Sequence, residues 1–144
     1  MTPIATQHLA RSIETLESSL ASLRGAPAES IEFEVFRNAV VKGFELTLET
    51  TGKLLRRALK EYVAVPRQID VLEDRDVLRA ANKHGLLTED EVGRWLTYRN
   101  HRSCFEHELG VEIHEVRFGL MADFAMDARH LESMLRERLD RVDA

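Results

Sequence analysis

Apolar positions in this chain recur at helical spacing almost throughout. From about Thr6 to Arg24, Leu9, Ile13, Leu16, Leu20 and Leu23 step by four, three, four and three, while Glu14, Glu17 and Ser18 fall elsewhere. That spacing gives an α-helix one apolar face. Gly25 and Pro27 stop it. A second helix is predicted from about Ile31 to Val63, with Phe33, Phe36, Val40, Phe44, Leu48, Leu55, Leu59 and Tyr62 on one face. Thr51 or Gly52 fills the gap between Leu48 and Leu55, where a small residue permits close approach of a neighbouring helix. Glu32 and Glu34 suit its positive N-terminal end, and Arg56, Arg57 and Lys60 its negative C-terminal end. Pro66 closes it. At 1.5 Å per residue such a helix spans roughly 50 Å, so a kink is expected near Gly43 or Gly52.

The third helix is short, from about Arg75 to His84, with Gly85 where a left-handed cap belongs. The fourth opens on Thr88-Glu89-Asp90-Glu91, a capping box in which the Thr88 hydroxyl serves the Glu91 amide and Glu91 reaches back. It turns Val92, Trp95 and Leu96 inward and runs to about Ser103. The fifth runs from about Glu112 to Val142, and Ile113, Val116, Leu120, Phe124, Ala128, Leu131, Leu135, Leu139 and Val142 hold steps of three and four throughout. No stretch reads as a strand, a repeat or low complexity. The predicted fold class is therefore all-α: an antiparallel up-and-down four-helix bundle with one extra short helix. A second apolar row on the last helix, Phe118, Met121 and Ala125, has two readings. It is either a wider core face or a subunit interface.

Length and composition narrow the function classes. At 144 residues the chain suits a single domain able to bury a core without staples. A net charge of −5 excludes a globally basic nucleic-acid binder, so any phosphate contact must come from a local cluster. The one cysteine, Cys104, excludes an internal disulfide framework and a thiolate-rich metal site, which fits a cytoplasmic protein. The first residues carry no signal-peptide pattern, and no run has the length of a membrane span. There is no glycine-rich phosphate loop and no His-Glu-x-x-His motif, so neither a cofactor nor a metal is expected.

One stretch stands apart chemically. Between Trp95 and Gly110, Arg99, His101, Arg102 and His107 crowd into nine residues, with Arg94 upstream and Trp95, Tyr98 and Phe105 interleaved. In an acidic chain this is a positive island. It reads either as an anion or phosphate site with a proton-moving histidine, or as a solvated helix end whose cations face the negative dipole.

The segment also resembles the HEPN superfamily, and within it the small partners of minimal nucleotidyltransferases, some of which are HepT-type toxins. The signature is Arg, four to six residues, then His, and Arg102 to His107 fits the four-residue form. Arg79 to His84 and Arg94 to His101 share the spacing, but only Arg102 and His107 have the surrounding pattern, with Tyr98-Arg99 before them and Glu108 and Gly110 after. Upstream, Phe44-Glu45-x-Thr47-x-Glu49-x-x-x-Lys53-Leu54 and Arg75-Asp76-Val77-Leu78-Arg79-x-Ala81-x-x-x-Gly85-Leu86 look like the family's second and third helices. The resemblance implies one HEPN-like helical domain over residues 1–144, paired as a homodimer with two motifs lining a shared cleft.

It also implies a metal-independent endoribonuclease. His107 would act as general base or acid, Arg102 would hold the scissile phosphate, Ser103 would orient an oxygen, and Arg99 and His101 would extend the phosphate surface. Arg102 and His107 are five positions apart, about 140° around an ideal helix, so they converge only if the helix ends near Ser103 or Cys104. Two departures favour a competing reading, a non-catalytic module that binds a separately encoded nucleotidyltransferase. Ser103 stands where the family has Asn or Asp, and Leu109 stands where toxins of this type carry a tyrosine that accepts AMP. A purely structural bundle is the third reading.

Overall fold

A computed structural model of the protein describes residues 6–100 and 117–143. The described helices are α1 (Thr6–Gly25), α2 (Ile31–Leu59), α3 (Arg67–Asp70), α4 (Asp74–Lys83), α5 (Glu89–Asn100) and α6 (Arg117–Asp143), and no strand occurs among these residues. The fold class is all-α, as the periodicity requires.

Long-range side-chain pairs give the direction of each helix. Ser12 of α1 accepts a hydrogen bond from Thr47 of α2 at 3.2 Å, and Leu16 lies against Gly43, so α1 and α2 are antiparallel. Arg24 of α1 sits over the Phe118 ring of α6 at 5.3 Å, while Arg129 of α6 grips Glu17 of α1; those two helices are also antiparallel. Trp95 and Tyr98 of α5 meet Phe124 of α6, and Glu91 faces His130, which sets α5 antiparallel to α6. The four long elements α1, α2, α5 and α6 thus run up and down, with α3 and α4 inserted before α5.

The core follows the apolar stripes. Leu9, Ile13, Leu16, Leu20 and Leu23 of α1 are buried, as are Phe124, Ala128, Leu131 and Leu135 of α6. At its centre Phe124 lies 4.7 Å from Phe44, 5.1 Å from Tyr98 and 5.6 Å from Trp95, centroid to centroid. The Tyr98 and Trp95 contacts are edge-on, the geometry that ring quadrupoles favour. Met121 and Ala125 are buried within the chain and Phe118 is half-buried under Arg24, so the second row of α6 belongs to a wide core face.

The local signals at the helix ends hold. Ser30 caps α2, its hydroxyl accepting the Phe33 amide at 3.0 Å. The Glu91 amide donates to Thr88 Oγ1 at 3.1 Å and the Thr88 amide to Glu91 Oε1 at 2.9 Å, closing the reciprocal box. After α4, Gly85 has φ of 76°; Leu86 N–H bonds Ala81 O at 2.8 Å and Gly85 N–H bonds Asn82 O at 3.0 Å. Those two bonds are the pair that satisfies a helix's last carbonyls in a Schellman motif.

Three expectations for the second helix are revised. Its α-helical part stops at Leu59 and tightens into a 3-10 turn over Lys60–Tyr62 instead of continuing to Val63. Tyr62 consequently leaves the core face: it is 42% exposed and stacks on His84 at 5.1 Å. The close helix approach lies more than two turns upstream of the expected place, at Gly43, where an added Cβ would sit 3.3 Å from Leu16 Cδ1, while a Cβ added at Gly52 would meet nothing within 4 Å. A one-turn helix, α3, also appears where the sequence pattern showed none. It is short, and only Ile69 in it is buried, so no periodicity reveals it.

Candidate functional site

Of the expected site residues, Arg102, Ser103, His107 and His101 lie outside the described residues. Arg99 lies inside them, in the last turn of α5. Its Nη2 meets Asp74 Oδ2 at 2.5 Å. The other oxygen of Asp74 accepts Arg56 Nη2 at 2.8 Å, and Arg56 also donates to the carbonyls of Ile69 at 2.7 Å and Leu72 at 2.8 Å. One network therefore joins α2, the turn carrying α3, the start of α4 and the end of α5. Burial alone would raise the Asp74 carboxyl, but the Arg56 hydrogen bond and the charges of Arg99 and Arg56 outweigh it and hold it below its ordinary 3.8.

Arg94, the other described cation of the island, is also balanced internally. Arg94 binds Asp127 of α6 with both arms, Nε to Oδ2 at 2.9 Å and Nη2 to Oδ1 at 3.1 Å, the geometry that makes such pairs strong. The Tyr98 hydroxyl donates to the same carboxylate at 2.5 Å. Burial, then the Asp127 bond and charge, push the Tyr98 phenol well above its ordinary range, so it stays a neutral donor. Trp95 and Tyr98 are 1% and 2% exposed. They are core residues: Trp95 turns inward as its place on the helix predicts, and Tyr98 joins it, so neither aromatic of the island faces a ligand.

Beside Arg99 the surface opens into a cleft of about 150 Å³ lined by Leu48, Glu49, Gly52, Lys53, Arg56, Asp74 and Arg99. Beneath it a cavity of about 20 Å³ reaches Thr51, Leu55, Val77, Leu78 and Trp95. Of these residues, Thr51 and Trp95 have a buried side-chain atom, Oγ1 and Nε1, without a hydrogen-bond partner among the described residues. Glu49 and Lys53 pair at 3.1 Å on the rim. Among the described residues no cluster of His, Cys, Asp or Glu could hold a metal, and no helix is long and apolar enough to cross a membrane. Asp74, Lys53 and Gly52 were not singled out as site residues from sequence. Asp74 reads there as an ordinary acid at a helix start, and only the fold brings it to Arg99.

Comparison with known proteins places this geometry. A curated relative, named "Probable ribonuclease HepT" from Haemophilus influenzae, is 26% identical over 98 residues, 68% of this chain. The match spans 66% of that relative, just under two thirds of its length. A solved Haemophilus influenzae structure, described as revealing the fold of a substrate binding domain of a nucleotidyltransferase, superposes with a TM-score of 0.77 over 91% of this chain and 98% of that one. Its sequence identity is 21%, so the likeness is one of fold. The family model described as "Nucleotidyltransferase substrate binding protein like" matches residues 7–137, nearly the whole bundle, and the chain belongs to that family.

Proposed function

We propose that this chain is the partner of a separately encoded minimal nucleotidyltransferase and acts as a metal-independent endoribonuclease, the toxin of a toxin–antitoxin pair. The observation that carries the reading is the Arg102-x4-His107 pattern in a chain of this family with a relative named as a probable ribonuclease. Arg102 binds the phosphate at the cleavage point and offsets charge on its oxygens. His107 takes the proton from the attacking ribose 2′-hydroxyl or delivers one to the leaving oxygen. Ser103 orients a phosphate oxygen, and His101 extends the binding surface. A cytoplasmic homodimer brings two motifs to one cleft and doubles the local positive charge.

Arg99 has a different part in this reading. Tied to Asp74, it fixes the end of α5 three residues before Arg102. The second reading, a binding module without catalysis, draws support from the same region. Arg94 and Arg99 are both engaged by carboxylates of the chain itself, and Ser103 and Leu109 depart from the toxin pattern.

Induced expression in cells, with and without a co-expressed minimal nucleotidyltransferase, separates the two. The nuclease reading expects growth arrest by the wild type, relief by the nucleotidyltransferase, and loss of arrest in Arg102→Ala and His107→Ala. Purified protein that leaves RNA intact, harmless expression, and co-purification with the nucleotidyltransferase undisturbed by His107→Ala would establish the binding module instead.

A further inference from the structure

Gly52 stands inside α2, where glycine weakens a helix relative to alanine. An added Cβ would meet no atom within 4 Å, so no packing contact requires the missing side chain. Gly43 on the same helix is the contrast, closed over by Leu16. What the absence at Gly52 does is keep an opening: the residue lines both the surface cleft and the cavity below it.

Two residues that line that opening, Thr51 and Trp95, each carry a buried polar atom. Thr51 and Trp95 are almost wholly buried, and Thr51 Oγ1 and Trp95 Nε1 have no partner among the described residues. An indole N–H can only donate, and a hydroxyl can accept or donate. Buried groups of this kind are nearly always satisfied, because leaving them dry is costly. The cavity beside them, about 20 Å³, has room for one oxygen-sized guest. The rim above is charged. Lys53, Arg56 and Arg99 stand against Glu49 and Asp74, an excess of one positive charge in a chain of net charge −5. Arg56 is committed to two backbone carbonyls and Asp74. Lys53 holds Glu49 and Arg99 holds Asp74, and each can exchange that carboxylate for an incoming oxyanion.

We propose that the cleft between α2, α4 and α5 binds a small phosphate-bearing anion, with the phosphoryl group between Lys53 and Arg99 above the pocket that Thr51 and Trp95 line. Gly52 supplies the entrance. The site shares Arg99 with the end of α5 that precedes Arg102, whereas Gly52 and Lys53 have no part in the Arg102 and His107 chemistry.

Trp95 is the only tryptophan of the chain and lines the cavity, so its emission reports on the site directly. The test titrates inorganic phosphate, and separately ribose 5-phosphate, at constant ionic strength with chloride as the reference, and follows Trp95 fluorescence and binding heat. A saturable response to either probe is expected. Lys53→Gln and Arg99→Gln should each weaken it about tenfold, the loss of one charge-assisted hydrogen bond, and Gly52→Leu should abolish it by filling the cleft. A response no different from chloride overturns the proposal, as does binding that persists unchanged in Gly52→Leu. If circular dichroism shows Gly52→Leu unfolded, Lys53→Gln on the exposed rim decides alone: unchanged affinity there overturns the site. The growth assay of the Arg102 and His107 variants is indifferent to this result, so the two readings fail separately.

Discussion

Phe124→Ala tests whether the aromatic cluster, and not helix propensity, holds α5 against α6. The Phe124 ring is fully buried and touches Phe44, Tyr98 and Trp95. Removing a buried ring forfeits about 2–3 kcal/mol of transfer free energy. The cavity left among three rigid neighbours and the lost edge-on contacts add about 1–2 kcal/mol. A total near 4 kcal/mol is a large share of the roughly 5–15 kcal/mol that stabilises a domain, and corresponds to a fall in Tm of roughly 8–16 °C. The assay is urea denaturation followed by circular dichroism and by Trp95 emission, which sits inside the affected cluster. Met126→Ala, two positions along the same helix at 70% exposure, is the control and should change stability by less than about 0.5 kcal/mol. A loss in Phe124→Ala below about 2 kcal/mol at unchanged m-value, within the usual range for a tolerant site, would refute the claim that these four rings are the centre of the core.

Asp74→Asn should cost about 1 kcal/mol at neutral pH, a charge-assisted pair discounted for its partial exposure. Because the folded carboxyl titrates below its ordinary 3.8, its contribution is present above that pH and vanishes as pH falls through the lower folded value. The stability curves of wild type and Asp74→Asn should therefore converge in acid, and parallel curves down to full acid unfolding would contradict the pairing. Gly85→Ala, forced to a φ of 76°, should lose about 1 kcal/mol by thermal melt; an unchanged Tm would mean the cap is dispensable. Gly52→Ala should gain about 0.5–1 kcal/mol, whereas Gly43→Val should lose about 1–3 kcal/mol against Leu16. Equal effects at the two glycines in urea melts would refute the difference in their surroundings.

What the sequence makes legible here is what neighbouring residues settle among themselves. The leucine ladder of α1, the Thr88–Glu91 box and the Gly85 cap each involve partners at most a turn or so apart, and each is found as expected. The family resemblance, too, rests on local spacing. Long-range pairing leaves no such trace. Arg56 reads as a cation complementing a helix end, yet it binds carbonyls 13 and 16 residues away. Tyr98 reads as an aromatic among cations until the fold turns it, with the inward Trp95, onto Phe124. Asp127, which receives both Arg94 and Tyr98 from 33 and 29 residues away, carries no sequence signal at all. Thr51 and Gly52 were marked for their small size, correctly in kind, but the helix contact they were expected to make occurs at Gly43, and their smallness opens a cleft instead.

The seam at Asp127 has a consequence for the residues between α5 and α6. Arg94, Tyr98 and the rings around Phe124 dock the two helices through side chains of the helices themselves. Lengthening the connection between them twofold adds only about 0.6 kcal/mol of closure entropy. A longer or shorter link between Asn100 and Arg117 should therefore leave the packing of α5 on α6 nearly as stable, whatever it does to the chemistry proposed for Arg102 and His107.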